Sequence, residues 1–497
     1  MFSLQIKDEP MMRFRPPRHS RRTGRRLSRR ALLPALIASA FAAPLQAADL
    51  LTITRDALDN NAELASARSQ FGSVEAGRDV ERADLLPQVD VRGNAAHSQQ
   101  YESQVAETTG GGADRFTADD RYNSVSLTLE ASQALFDARN RRELAQAERQ
   151  IDEQTYQLAA TEQQVLLDVA TAYFEILRAY EVLEARRAQE RAIGRQLEQA
   201  RERFEVGLIA ITEVEEAQAS FDQARADRIV AESNLQVRFE ALERLTGQRY
   251  ASIDALSGEM PIEPPTPRGR DHWVELAVNN NPLVLASQAG VEVSRSGLDI
   301  ARAERLPTVD AFANYNYADD DREGIQGVTS ISQVGVGISM PLYTGGRTSA
   351  SIRQNTYLLE SSQYDFEDQR RDTIQQVRSL FTQVSNDVST VEARAQAIVS
   401  SESALDATRA GHEVGTRNIV DVLNAEQDLS NAIADHAEAR FDYVINLLSL
   451  RQQSGTLDVP AMEALNDWLD GGNVSFTLPE ESDGYDEAME IGEPPRP

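Results

Sequence analysis

The amino-acid sequence predicts an α+β protein built from one large unit used twice, in which very long helices dominate and two β-hairpins supply the sheet. Three observations carry this. Arg82-Ala-Asp-Leu-Leu-Pro-Gln-Val-Asp90 returns as Arg302-Ala-Glu-Arg-Leu-Pro-Thr-Val-Asp310, and Phe204-Glu-Val-Gly207 returns as His412-Glu-Val-Gly415. A period above 200 residues is far too long for a solenoid repeat, so a whole unit has been duplicated. The 70 residues from Asp137 to Val206 contain no proline and only Gly194, and the 70 from Gly345 to Val414 keep their glycines near the ends. At 1.5 Å per residue each would run about 105 Å, more than any compact domain needs. Finally, a pair of alternating segments precedes each long stretch.

The elements follow in order. Residues 1–47 carry nine arginines, then the apolar run Ala31 to Ala43 and Pro44-Leu-Gln-Ala47, which reads as a secretory signal cleaved after Ala47. Ser28-Arg29-Arg30-Ala31-Leu32 is only faintly like a twin-arginine signal, and no cofactor motif follows that would require folded export. The first copy, 48–260, opens with a helix from about Thr52 to Leu85, stopped by Pro87. Strands are expected at about 88–99 and 122–136, around the glycine-rich loop Thr108-Thr-Gly-Gly-Gly-Ala113. The second copy, 261–458, repeats the order with a helix from about Trp273 to Leu306 and strands at about 308–318 and 330–343. The repeat offset falls from 220 residues before the hairpins to 208 after them, a difference expected to sit in a single loop.

In the last strand Val334, Val336, Ile338 and Met340 alternate with Gly335, Gly337 and Ser339; Leu127 and Leu129 alternate with Ser126, Thr128 and Glu130. Such alternation suits a membrane β-barrel wall, although it defines two faces without naming them. Four strands are too few to close a barrel. In the long segments, Ile374, Val377, Phe381, Val384, Val388 and Val391 form a heptad seam, as do Leu166, Val169, Tyr173, Leu177 and Tyr180. Each long helix breaks at Gly207 or Gly415 and returns as a shorter one, Ile211 to Leu245 or Ile419 to Leu450, which can stack on an opening helix. The stretch 459–497 is acidic and rich in glycine and proline toward its end, and reads as a mostly disordered tail.

Composition narrows the function. The mean hydropathy of −0.45 excludes a helical membrane protein. There is no cysteine, hence no disulfide framework. The net charge is −29, and removing the signal's net +8 leaves about −37, which repels nucleic acid. Lys7 is the only lysine, fitting either a GC-rich genome or a surface adapted to high salt. The histidines His19, His97, His272, His412 and His436 show no metal-ligand spacing, and no phosphate loop is present, so neither an enzyme nor a cofactor is expected. A periplasmic coiled-coil tethering protein without a pore would explain the heptads, but not two strand pairs at equivalent points of each copy.

Ala170-Thr-Ala-Tyr-Phe174, Phe204-Glu-Val-Gly-Leu-Ile-Ala-Ile-Thr-Glu-Val214, Met340-Pro-Leu-Tyr-Thr-Gly-Gly346 and Val414-Gly-Thr-Arg-Asn-Ile-Val-Asp-Val-Leu423 resemble the TolC family of outer-membrane efflux and secretion ducts, over roughly Leu50 to Gly455. The resemblance implies a homotrimer with a 12-stranded barrel in outer-membrane lipid and a helical tunnel in the periplasm. It implies a passive exit duct of a tripartite efflux pump or type I secretion system, with a periplasmic adaptor and an inner-membrane transporter of the RND, MFS or ABC type. Asp421 matches a family aspartate that forms an acidic ring at the periplasmic gate, while Asn424 stands where a second aspartate is usual. Arg417 matches a latch arginine whose partners would be Thr212 and Glu213, and His412 takes the place of a tyrosine of that latch. The turns Val206-Gly207-Leu208 and Val414-Gly415-Thr416 would meet the adaptor. Leu127, Leu129, Val334, Val336 and Ile338 are the expected lipid-facing residues.

Overall fold

The computed structural model describes residues 48–107, 113–256, 260–321, 327–469 and 472–475. The signal, the core of the glycine-rich loop (108–112) and the end of the tail (476–497) lie outside the described residues. The first copy runs α1 (Leu50–Asn60), α2 (Ala62–Ala83), β1 (Gln88–Glu107), β2 (Ala113–Phe136), α3 (Ala138–Glu205) and α4 (Ile211–Thr246). After β3 (Ser252–Asp254), the second copy runs α5 (Arg270–Asn280), α6 (Pro282–Ala303), β4 (Thr308–Asp320), β5 (Gly327–Ser339), α7 (Arg347–Glu413) and α8 (Ile419–Gln453). α9 (Val459–Asn466) and β6 (Asn473–Ser475) close the order.

Each opening helix, expected as one piece, is two. The break falls on an asparagine in both copies, Asn61 and Asn281, and both are buried. Asn61 accepts from the backbone N–H of Leu64 at 3.0 Å and donates to the Leu245 carbonyl at 3.0 Å. Asn281 accepts from Leu283 and Val284 at 2.9 and 3.2 Å and donates to the Gln453 carbonyl at 2.9 Å. One amide thus caps the start of α2 or α6 and satisfies the end of α4 or α8, which stacks the short helices end to end. Losing the cap costs about 1 kcal/mol, and orphaning the buried carbonyl about 1–3 more. Asn281→Ala is therefore expected to lower the apparent melting temperature clearly, whereas Gln427→Ala on the exposed surface should leave it unchanged; equal values would refute the stacking role.

The four long strands form one antiparallel sheet in the order β1-β2-β4-β5, and β3 and β6 form a second of two strands. The length difference between the copies is paired strand and not loop. β1 and β2 have 20 and 24 residues against 13 each in β4 and β5, and β2 pairs with β4 only from Ser124 onward. The last strand ends at Ser339, earlier than expected, because Pro341 carries no N–H for a ladder. Phe312 lies across Gly335, where an added Cβ would come within 2.7 Å of the ring.

α3 and α7 have 68 and 67 residues, each about 100 Å of continuous helix. α3 lies centrally, packed on α2, α4, α6 and α8, while α7 packs on α5, α6 and α8. Of the expected seams, Leu166, Val169, Tyr173, Leu177, Val377, Val384 and Val391 are buried. Arg178 pairs with Asp442 at 3.2 Å and Arg440 with Glu181 at 3.3 Å across α3 and α8; burial pushes the Glu181 carboxyl up, and Arg440 opposes this. The main core gathers Leu50, Ile53, Phe174, Trp273 and Phe441, and a second cluster nearer the glycine turns joins Ile193, Leu197, Val214, Leu405, Ile419 and Val422.

The first part of the tail is folded, while 470–471 and 476–497 lie outside the described residues. Met462, Leu465, Leu469 and Val474 are buried, and β6 pairs with β3. Four apolar side chains at these positions bury enough surface to order the segment in spite of its acids. Among the described residues no helix is long and apolar enough to cross a membrane.

Candidate functional site

The two glycine turns are built alike. Gly207 and Gly415 have φ of +74° and +76°, a left-handed conformation that glycine adopts without strain. The backbone N–H of Leu208 donates to the Arg203 carbonyl and that of Thr416 to the Gly411 carbonyl, at 2.9 and 2.8 Å. These bonds close the ends of α3 and α7 and thrust three apolar side chains outward: Val206, Leu208 and Val414 are 70, 73 and 75% exposed.

The turns differ in how the next helix begins. Ala210 opens α4 with no side-chain cap, whereas Asn418 and Asp421 form a reciprocal capping box at α8. Asn418 accepts from the Asp421 N–H at 2.8 Å, and Asp421 accepts from the Asn418 N–H at 3.3 Å. The carboxylate also sits favourably at the positive end of the helix dipole. This local role was legible as Asn-x-x-Asp and was missed. Asp421 shares its helix face with the exposed Asn424 and with Asp428, one turn further on and absent from the expected site.

Arg417 stands 3.8 Å from Asp421 and is 60% exposed. Within one chain it pairs with this acid; Thr212 and Glu213 are on α4 and are not brought to it. His412 does bridge helices. Its Nε2 lies 3.3 Å from Arg203 Nη1 and its Nδ1 lies 3.1 Å from the Arg417 carbonyl oxygen. Arginine only donates, so Nε2 accepts and the proton rests on Nδ1, where it donates to that carbonyl. His412 thereby joins the end of α3 to the α7–α8 turn. Above the turns the buried Glu426 is paired with Arg409, beside a groove of about 400 Å³ that also meets Gln189, Arg195 and Glu402. Neither Arg203 nor this pair was foreseen, since cross-helix contacts leave no periodic trace in sequence.

At the opposite end the strand register gathers the five expected lipid-facing residues on one face. Val91 pairs with Leu129 and Gly93 with Leu127, which in turn pair with Tyr315 and Tyr317. Val309, Ala311 and Ala313 pair with Ile338, Val336 and Val334. The other face carries Asp90, Arg92, Glu130, Thr128, Asn314, Asn316 and Gln333, with Arg92 and Glu130 3.3 Å apart.

Comparison with known proteins adds a family. Residues 53–248 and 273–456 each match the model for outer membrane efflux proteins. The chain is 33% identical over 433 residues to the outer membrane protein TolC of Vibrio cholerae, covering 86% of this chain and 95% of that protein. It is 31% identical to the alkaline protease secretion protein AprF of Pseudomonas aeruginosa, covering 82 and 84%. Among solved structures, CusC superposes with a TM-score of 0.68 at 17% identity, covering 82% of this chain and 92% of that one. The outer membrane protein VceC of Vibrio cholerae gives 0.67 at 19%, covering 82 and 96%.

Proposed function

The chain belongs to the outer membrane efflux protein family, and from that premise we propose how its parts work as an exit duct gated at the glycine turns. It is an outer-membrane channel that reaches into the periplasm, serves efflux and type I secretion, and catalyses no reaction. Members of the family work as trimeric channels with adaptor proteins and inner-membrane transporters.

The observation that carries the reading is the sheet. It has one apolar face and two open edges, β1 and β5, and an open edge in lipid costs several kcal/mol for each unsatisfied backbone group. Two copies would give eight strands, a barrel filled by its own side chains. Three give twelve and leave a lumen lined by the polar face. The apolar face, with Leu127, Leu129, Val334, Val336 and Ile338, then meets lipid.

The turns are the closed end. Three copies bring three Asp421 carboxylates and three Asn424 amides around one axis, and a ring of three charges favours cations. Arg417 holds Asp421 loosely at 3.8 Å, so it is available to Thr212 and Glu213 of the helix beside it, with His412 fastening the same turn to Arg203. A guanidinium can hold an acid and a hydroxyl together in fixed geometry. Val206, Leu208, Val414 and Thr416, exposed around Gly207 and Gly415, form the docking surface for the adaptor. The transporter, of RND, MFS or ABC type, selects the cargo. Arg417→Ser should raise single-channel conductance in planar bilayers severalfold; wild-type conductance in the variant would overturn the latch.

A further inference from the structure

Inside the chain, α8 lies against α3 and is held by hydrogen bonds. Gln452 donates to Gln164 at 3.1 Å, and Arg186 donates to Asn431 and Ser430 at 2.9 and 3.2 Å. The repeat maps α3 onto α7 and α8 onto α4, both 208 residues apart. Gln164 becomes Asp372, Gln452 becomes Arg244, Arg186 becomes Arg394, and Ser430 and Asn431 become Asp222 and Gln223. Two contacts of mixed polar character thus turn into two pairs of opposite charge.

The mapped residues have room for a partner. Gln223, Val230, Val237 and Arg244 lie at heptad spacing on α4, with Val230 and Val237 61 and 56% exposed. Their counterparts on α8 include Ile445, which is packed into the core, and Asn431 and Gln452, which touch α3. At three of its four positions the stripe on α4 is therefore the α8 stripe without its cover; Glu438, the counterpart of Val230, is itself exposed. Among the described residues Arg244 is exposed and has no ion-pair partner, and Asp372 is exposed and accepts a side-chain hydrogen bond only from Gln376 on its own helix, at 2.6 Å. Arg394 already meets Asp435 at 2.8 Å, so it would be shared.

A second place tells the same story. Gln146 on α3 donates to the Val293 carbonyl at 3.2 Å, and a Cβ on Gly297 would stand 3.3 Å from its amide nitrogen. The mapped residues are again a glutamine and a glycine, Gln354 and Gly77. Yet Gln354 is exposed, and nothing lies within 4 Å of a Cβ built on Gly77. Among the described residues no neighbour fills these places.

We propose that α7 of one copy covers the α4 stripe of the next in the register that α3 adopts on α8, with Asp372 of one copy pairing with Arg244 of the next and Arg394 with Asp222. This rests on the three-copy reading and adds a residue-level register to it. Segments tethered in one chain meet without help, whereas separate copies gain register and orientation from complementary charge.

The absence of cysteine makes the test direct. The full-length chain carrying Arg244→Cys and Asp372→Cys, treated in outer membranes with a short bis-maleimide, should yield covalent trimers, and either single cysteine only monomers. Arg244→Glu alone should lower the heat-resistant trimer at least tenfold in high-salt wash, and adding Asp372→Arg should restore it to within twofold of wild type. Wild-type trimers with no adduct and no restoration would overturn the pairing and leave the exit duct standing. A wild-type chain that is monomeric in the outer membrane would overturn both.

Discussion

Gly455→Ala should leave almost no heat-resistant trimer in the outer membrane. Gly455 has φ of +71°, and a Cβ there would stand 2.3 Å from the Asn280 carbonyl oxygen and 2.8 Å from the Asn281 nitrogen. Those atoms cannot retreat, because Asn281 is at once the cap of α6 and the donor to Gln453. Left-handed strain costs roughly 1–2 kcal/mol, and overpacking about 1–3 more. Gly415 provides the comparison: its φ is +76°, but nothing lies within 4 Å of an added Cβ. Gly415→Ala should therefore show the strain alone, with a small loss of melting temperature and trimers retained. If both variants assembled equally well, the close fit at the junction would be refuted.

Val336→Arg should be the most damaging single change in the sheet. Val336 is 61% exposed in the single chain and pairs with Ala311 on the apolar face. An arginine facing lipid costs up to roughly 2–4 kcal/mol, according to its depth, and three copies each bear that cost. Gln333→Arg, three residues away on the polar face opposite Asn314, should be accepted, because a lumen hydrates the charge. Outer-membrane yield of the two variants decides the matter: loss with Gln333→Arg and tolerance of Val336→Arg would invert the assignment of the faces.

Much of this fold was legible in the sequence, for physical reasons that also explain what was not. A helix of 68 residues without proline leaves a long periodic trace, and two-residue alternation made β5 readable. The breaks at Asn61 and Asn281 were in fact written locally, in Asp59-Asn60-Asn61 and in Asn279-Asn280-Asn281-Pro282, which hold poor helix formers and a proline suited to a helix start; what the sequence does not show is the distant carbonyl that each asparagine holds, Leu245 or Gln453. The added length of the first hairpin was read as loop because Gln99 to Glu107 is polar, while its pairing depends on β2. At the turns Gly207 and Gly415 were readable as helix ends from local sequence, while Arg417 was named through the family resemblance. The Arg203 and His412 contact was not, since it joins residues more than 200 positions apart.

The central claim is that three copies of a four-stranded sheet close around one pore. Purified wild-type protein added to one side of a planar bilayer measures this directly. The expected result is discrete current steps of uniform size, each the insertion of one trimer, with preference for cations from the Asp421 ring. Protein that binds the bilayer and produces no steps would contradict it.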